Sequence, residues 1–181
     1  MRKLLLFPLL MVVSILSAQK FEVSASYGAS SVYDATYELA SAITIYSITK
    51  ESNPSSVGVA AIGVAMYSEN MKWRYGVDVA NEFFNKTASI SRQNILSVLP
   101  KVDYFWLRKE KLGLYSGAAA GVTFVNTTYV DKDKKERKDT DSVFGFNVVP
   151  IGVKYGGDLS VFLETNIGMK GIVQGGVSYK F

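Results

Sequence analysis

Apolar and polar residues alternate with period two along most of the chain, which predicts β-strands with two unlike faces. Phe21, Val23, Ala25 and Tyr27 alternate with Glu22, Ser24 and Ser26. Trp73, Tyr75, Val77 and Val79 alternate with Arg74, Gly76, Asp78 and Ala80. Leu96, Val98, Pro100, Val102, Tyr104 and Trp106 alternate with a face that carries Lys101 and Asp103. The pattern recurs over 112–124, 159–169 and 173–181. Segments 56–68 and 142–156 are apolar on both faces and harder to phase. The reading is eight strands, at 20–28, 56–68, 71–82, 95–108, 111–125, 142–156, 158–169 and 171–181. Leu112–Val130 is uncharged over 19 residues and long enough for a transmembrane helix. Its glycines, β-branched and aromatic residues favour a strand instead.

Most of these strands reach the ~9–11 residues that a tilted strand needs to cross a bilayer. The connections run long (29–55), tight (69–70), long (83–94), tight (109–110), long (126–141), then tight at 157 and near Lys170. Tight turns at one end and longer loops at the other fit a membrane barrel. Charge placement argues the same way. The faces read as inward carry Glu22, Arg74, Asp78, Lys101, Asp103, Lys154, Glu164 and Lys180, while the central spans of the opposite faces carry none. A Lys or Arg on a lipid face at the midplane costs about 2–4 kcal/mol, and a soluble half-buried sheet would place its charges outside. The loop joining 71–82 to 95–108 sets a register with Arg74 opposite Asp103 and Asp78 diagonal to Lys101, two cross-strand pairs.

Pro100 and Pro150 sit inside strands, where a closed barrel offers no free edge. Phe144, Phe146 and Val148 share one parity and Val149, Ile151, Val153 and Tyr155 the other, so a one-residue bulge near Pro150 turns both sets outward. For Pro100 the sequence offers no account.

The N-terminus reads as an address. Arg2 and Lys3 precede an apolar run from Leu4 to Leu16, followed by Ser17-Ala18. That is the layout of a cleaved secretory signal peptide over 1–18, with the barrel domain over 19–181; an uncleaved anchor is the alternative. With no Cys after the run, no lipoprotein anchor is expected. Removing the signal lowers the formal net charge from +4 to +2, so the basic balance is a poor argument for nucleic acid. The run Asp131–Asp141 has five acids and five bases and reads as a solvated loop. The 31–46 segment has helix-like spacing and predicts a short helix in the first outer loop, or a plug folded into the mouth. The chain has no His and no Cys, which removes Ser-His-Asp triads, thiolate or HExxH metal sites and disulfides.

Aromatics cluster at the strand ends, as interfacial girdles do. Trp73, Tyr75, Tyr104, Trp106, Tyr155, Tyr179 and Phe181 fall at the turn side, and Tyr27, Phe83, Phe84, Phe124 and Phe144 at the loop side. The last strand has a polar residue, a glycine two later, then aromatics third from the end and at the end: Gln174, Gly176, Tyr179 and Phe181. This resembles the C-terminal signal of bacterial outer-membrane barrels. The chain is similar to the small eight-stranded, OmpA/OmpX-like outer-membrane β-barrel family. The resemblance implies an all-β, up-and-down antiparallel transmembrane barrel in the outer membrane of a Gram-negative bacterium. It also implies that insertion machinery reads the terminal aromatic. No peptidoglycan-binding domain is expected after the barrel.

An eight-stranded barrel is just wide enough to be filled by its own side chains, and aqueous channels appear at about 16 strands. A general porin is therefore not expected. Membrane-barrel enzymes typically use His, so a site here would rest on carboxylates such as Asp78, Asp103 or Glu164, which ion pairing explains better. The reading is a monomeric, non-enzymatic outer-membrane scaffold with no cofactor and no metal. Its surface loops 29–55, 83–94 and 126–141 would meet an unidentified extracellular partner. The alternatives are a narrow small-solute or ion channel and a soluble lipocalin-like ligand-binding barrel.

Overall fold

The computed structural model describes residues 20–29, 56–85, 90–130 and 136–181. The strands are β1 (Phe21–Gly28), β2 (Ser56–Tyr67), β3 (Trp73–Phe84), β4 (Ile90–Arg108), β5 (Leu112–Val130), β6 (Glu136–Gly156), β7 (Leu159–Thr165), β8 (Ile167–Gly168) and β9 (Val173–Lys180). β7 and β8 form one stave interrupted at Asn166, so eight staves make the wall. Each is antiparallel to its sequence neighbours, and β9 closes the ring on β1 from Glu22↔Lys180 to Gly28↔Gln174. Closure removes every free edge along the paired span, which an open sheet in lipid could not tolerate.

The alternation maps onto the two faces of the wall. Val23, Ile62, Val64, Val77, Val98, Val122, Phe146, Val153, Leu163 and Val177 are exposed on the outside. Glu22, Arg74, Asp78, Asp103, Lys154 and Glu164 are buried inside. The dry core is small. Tyr67, Phe105, Tyr115 and Val149 form one cluster near the turn end, and Val59, Ala61 and Ala80 another.

Both strand prolines find a place. The β5–β6 register shifts between Tyr115 and Gly117, so Pro150 and Ile151 both oppose Ser116 and both face outward. Ser116 Oγ donates to Pro150 O at 2.6 Å, and Thr165 Oγ1 on the other flank donates to Ile151 O at 3.1 Å. Two hydroxyls thus satisfy carbonyls that the bulge takes out of the ladder. One residue departs from the expected bulge geometry: Val149 points inward, because the bulge falls after it. Pro100 lies on the outer face, where the β4–β5 pairing lapses between Val98↔Val122 and Lys101↔Ala119. Gly121 lies in that gap. A Cβ there would fall 3.1 Å from Pro100 Cδ and 2.0 Å from Val98 O, so only glycine lets the pyrrolidine ring approach.

Other expectations need correction. β4, β5 and β6 are longer than the alternation suggested. Their ladder runs on to Val130↔Glu136, so much of the expected loops 83–94 and 126–141 is hairpin. Polar residues paired above the apolar zone keep strand geometry without needing an apolar face. The stave expected at 158–169 breaks at Asn166, and Met169 at its end is buried. The signal peptide at 1–18 and the helix at 31–46 lie outside the described residues.

Candidate functional site

Inward-facing positions on β1, β3, β4, β6 and β7 bring charges from distant parts of the chain into one lumen. Arg74 is the hub. Its Nη1 donates to Glu22 Oε1 at 2.8 Å and its Nε to Asp103 Oδ2 at 2.8 Å. Its Nη2 lies 3.9 Å from Glu164 Oε1. Its guanidinium also sits 4.7 Å from the ring centre of Tyr115 and 5.4 Å from that of Phe105. The other Glu22 oxygen accepts from Tyr67 Oη at 2.8 Å and pairs with Lys154 Nζ. Tyr115 Oη donates to Glu164 Oε1 at 2.7 Å.

A second arm runs from Glu164. Lys170 Nζ lies 3.1 Å from Glu164 Oε2 and 2.7 Å from Asp78 Oδ2, and Lys101 Nζ lies 2.8 Å from Asp78 Oδ1. The charges thus form one connected chain of Lys154, Glu22, Arg74, Asp103, Glu164, Lys170, Asp78 and Lys101, four acids and four bases. Burying a lone charge costs several kcal/mol, and each member here meets at least one opposite charge.

Seven of the eight charges read as inward belong to this chain, and Lys180 does not. Lys180 pairs in register with Glu22, but both Glu22 oxygens are occupied. At the turn end Lys180 reaches Asp158 instead, at 3.5 Å. The eighth place is taken by Lys170, which sequence reading left in a turn. Parity along a strand cannot say where a turn residue points. Here the connection 169–172 folds into the mouth, and Lys170 is only 4% exposed. Backbone contacts hold it there: Met169 N donates to Phe146 O at 3.1 Å, and Lys170 N to Asn147 Oδ1 at 3.2 Å. Tyr67 and Tyr115, whose hydroxyls complete Glu22 and Glu164, sit at inward parity positions that carried no charge to flag them.

Asn147 Nδ2 donates to Asn166 Oδ1 at 2.8 Å, and Ser97 Oγ and Thr123 Oγ1 are 2.8 Å apart. Gln174, Ser178 and Asn166 carry buried polar atoms with no protein partner, as in a polar lumen rather than a dry core. Among the described residues no group of three or more His, Cys, Asp or Glu side chains converges as metal ligands would.

The C-terminal residues divide between the faces. Gln174 is buried in the lumen. Gly176 packs where a Cβ would meet Ala25 O at 2.5 Å and Phe162 Cζ at 2.6 Å. Tyr179 and Phe181 are exposed and stack at 6.1 Å, and Phe181 stacks on Phe21 at 6.4 Å.

No protein-family model matches the sequence, and no curated protein sequence does. Among solved structures, Neisserial surface protein A (NspA) is similar at a TM-score of 0.56 and 15% identity, covering 91% of this chain and 97% of that one. The N-terminal β-barrel domain of Pseudomonas aeruginosa OprF gives 0.46 at 12% identity, covering 90% and 97%. The likeness to NspA is one of fold: this chain is a closed eight-stranded antiparallel barrel of that kind.

Proposed function

We propose that this protein is a non-enzymatic integral barrel of the Gram-negative outer membrane, exported through a cleaved signal peptide. Its closed wall would carry surface loops that make contact outside the cell. One observation carries the reading: the wall is inverted relative to a soluble barrel, with large apolar side chains exposed around its circumference and ion pairs inside. Water would not tolerate so continuous an apolar surface, whereas acyl chains require it. Arg74 and its partners fill the turn half of the lumen, and Lys170 with Asp78 and Lys101 fills the middle. The work then falls to the segments at the loop end, for surface contact, partner binding or envelope integrity.

The C-terminal Gln174, Gly176, Tyr179 and Phe181 fit a role as an insertion signal, with the two aromatics displayed on the outer face. The test is heat-modifiable gel mobility of the membrane fraction combined with protease shaving of intact cells. The expected outcome is a folded-band shift in the outer-membrane fraction and cleavage within 126–141. Recovery in the aqueous fraction would overturn the reading in favour of a soluble barrel. The unpartnered polar atoms of Gln174, Asn166 and Ser178 favour one second reading, a narrow channel. That reading expects planar-bilayer conductance that rises in Asp78→Ala.

A further inference from the structure

The turn end of the barrel carries an unbalanced charge that the lumen network does not use. A cavity of about 50 Å³ opens there, lined by Arg108, Lys109, Lys111, Lys154 and Lys180, with Glu110 as its one acid. Lys154 is committed to Glu22, and Lys180 to Asp158. Among the described residues Arg108, Lys109 and Lys111 have no acidic partner, so three cations face Glu110 alone.

Arg108 is held in place. Its Nη1 donates to Met71 O at 2.9 Å, and its guanidinium lies over the rings of Tyr67 and Phe105 at 4.8 and 4.9 Å. Its remaining N–H groups are left for another acceptor. The two turns that form the cavity are tied by Gly156 N donating to Lys111 O at 2.8 Å. At Gly157 a Cβ would meet nothing within 4 Å, so no side chain closes the mouth on that side.

We propose that this mouth binds a phosphate monoester dianion, Arg108 offering a fixed fork and Lys109 and Lys111 compact charges. A surplus of two positive charges matches one dianionic phosphoryl group, and the volume admits about one. Arg presents planar, directed donors to phosphate oxygens, and Lys acts as a point charge. The same chemistry comes from two sources, a soluble phosphate monoester or a lipid headgroup ending in one.

The experiment is a ³¹P NMR titration of the full chain, folded in neutral detergent. Glycerol 3-phosphate is the soluble probe, short-chain phosphatidic acid the lipid probe and short-chain phosphatidylcholine the control. Saturable binding of a monoester is expected, at least tenfold weaker in K109Q/K111Q and unchanged in Lys72→Gln, on the neighbouring turn outside the cavity. Phosphatidic acid binding at least tenfold tighter than glycerol 3-phosphate assigns the lipid source, and equal affinity assigns the soluble one. Should K109Q/K111Q lose the folded gel band, Arg108→Gln carries the same expected loss. Non-saturable binding, equal binding of phosphatidylcholine, undiminished affinity in the variants, or an equal loss in Lys72→Gln would each overturn the site.

Discussion

Three of the four acids in the charge chain have a glycine beside them on the neighbouring strand, and Glu22 has Ala65 and Lys180. Gly63 pairs with Asp78, Gly117 with Asp103 and Gly152 with Glu164. A Cβ at Gly117 would fall 2.0 Å from Asp103 Oδ1, and one at Gly63 2.3 Å from Asp78 Oδ1. Gly63 and Gly117 are the space in which these two carboxylates turn toward their cations, whereas Gly152 makes room for the Tyr115 ring. Gly117→Val should therefore push Asp103 off Arg74. The expected loss is about 2–4 kcal/mol, from overpacking and a broken charge-assisted bond, read as a lower urea midpoint in detergent. Gly157→Ala, which meets open space, should stay within about 0.5 kcal/mol of the parent in the same assay. The ion pairs give a second test. Asp78→Lys would gather three cations, and an expected loss of about 3–5 kcal/mol follows from breaking a buried pair. The double reversal D78K/K101D should recover part of that loss. Full recovery is not expected, because Lys170 would still face the introduced cation. A melting temperature unchanged in the single variant would count against the pairing.

At the scale of elements, the instructive places are those where period two breaks. The doubled apolar parity of β6 foretold a bulge, since only an extra residue lets two parities share one face. The hydroxyls of Ser116 and Thr165 that accompany it carried no such mark, because each serves a carbonyl on a different strand. Replacing both, as S116A/T165V, should cost about 1–3 kcal/mol, with the two single losses adding in denaturant titrations. Pro100 was opaque in the sequence because its tolerance depends on Gly121, 21 residues on, across a ladder gap. The lengths of β4 to β6 were equally opaque. Once a strand rises above the apolar zone, hydrogen bonding to its neighbour keeps it extended, and hydropathy no longer reports it.

For the whole molecule, the wall is uneven. β1 and β9 have 8 residues each, whereas β4, β5 and β6 have 19 to 21. An ~8-residue strand is about 26 Å long and, tilted as membrane strands are, rises about 20 Å, slightly less than the ~25 Å apolar band. The excess of β4 to β6 therefore stands beyond the loop end, the face to which the proposed contacts belong. The proposed C-terminal signal is tested at this scale too. Phe181→Ala removes one exposed ring from the rim and keeps the two backbone hydrogen bonds, 3.0 and 2.9 Å, that Phe181 exchanges with Phe21. Refolding into detergent micelles should then be nearly unchanged, while the folded barrel recovered from cell outer membranes should fall severalfold. An equal loss in both assays would make Phe181 a structural residue and not a signal.

What the sequence determined by itself is whatever depends on parity within a strand. It fixed the number of staves, the apolar outer face, the inward set from Glu22 to Glu164 and the register pairing Arg74 with Asp103. A strand has two faces, and each residue's place on them follows from counting. What only the tertiary structure decided is which side chains meet across the closed ring. Lys170 replaced Lys180 in the charge chain because a turn residue has no parity. Glu22 joined Arg74 and Lys154 because closure brings β1, β3 and β6 around a single lumen. Arg108, Lys109 and Lys111 are neighbours already in the chain, but the cavity they line exists only because their turn is tied to the one at 156–158. Such contacts depend on the curvature of the whole wall, which no local stretch of residues contains.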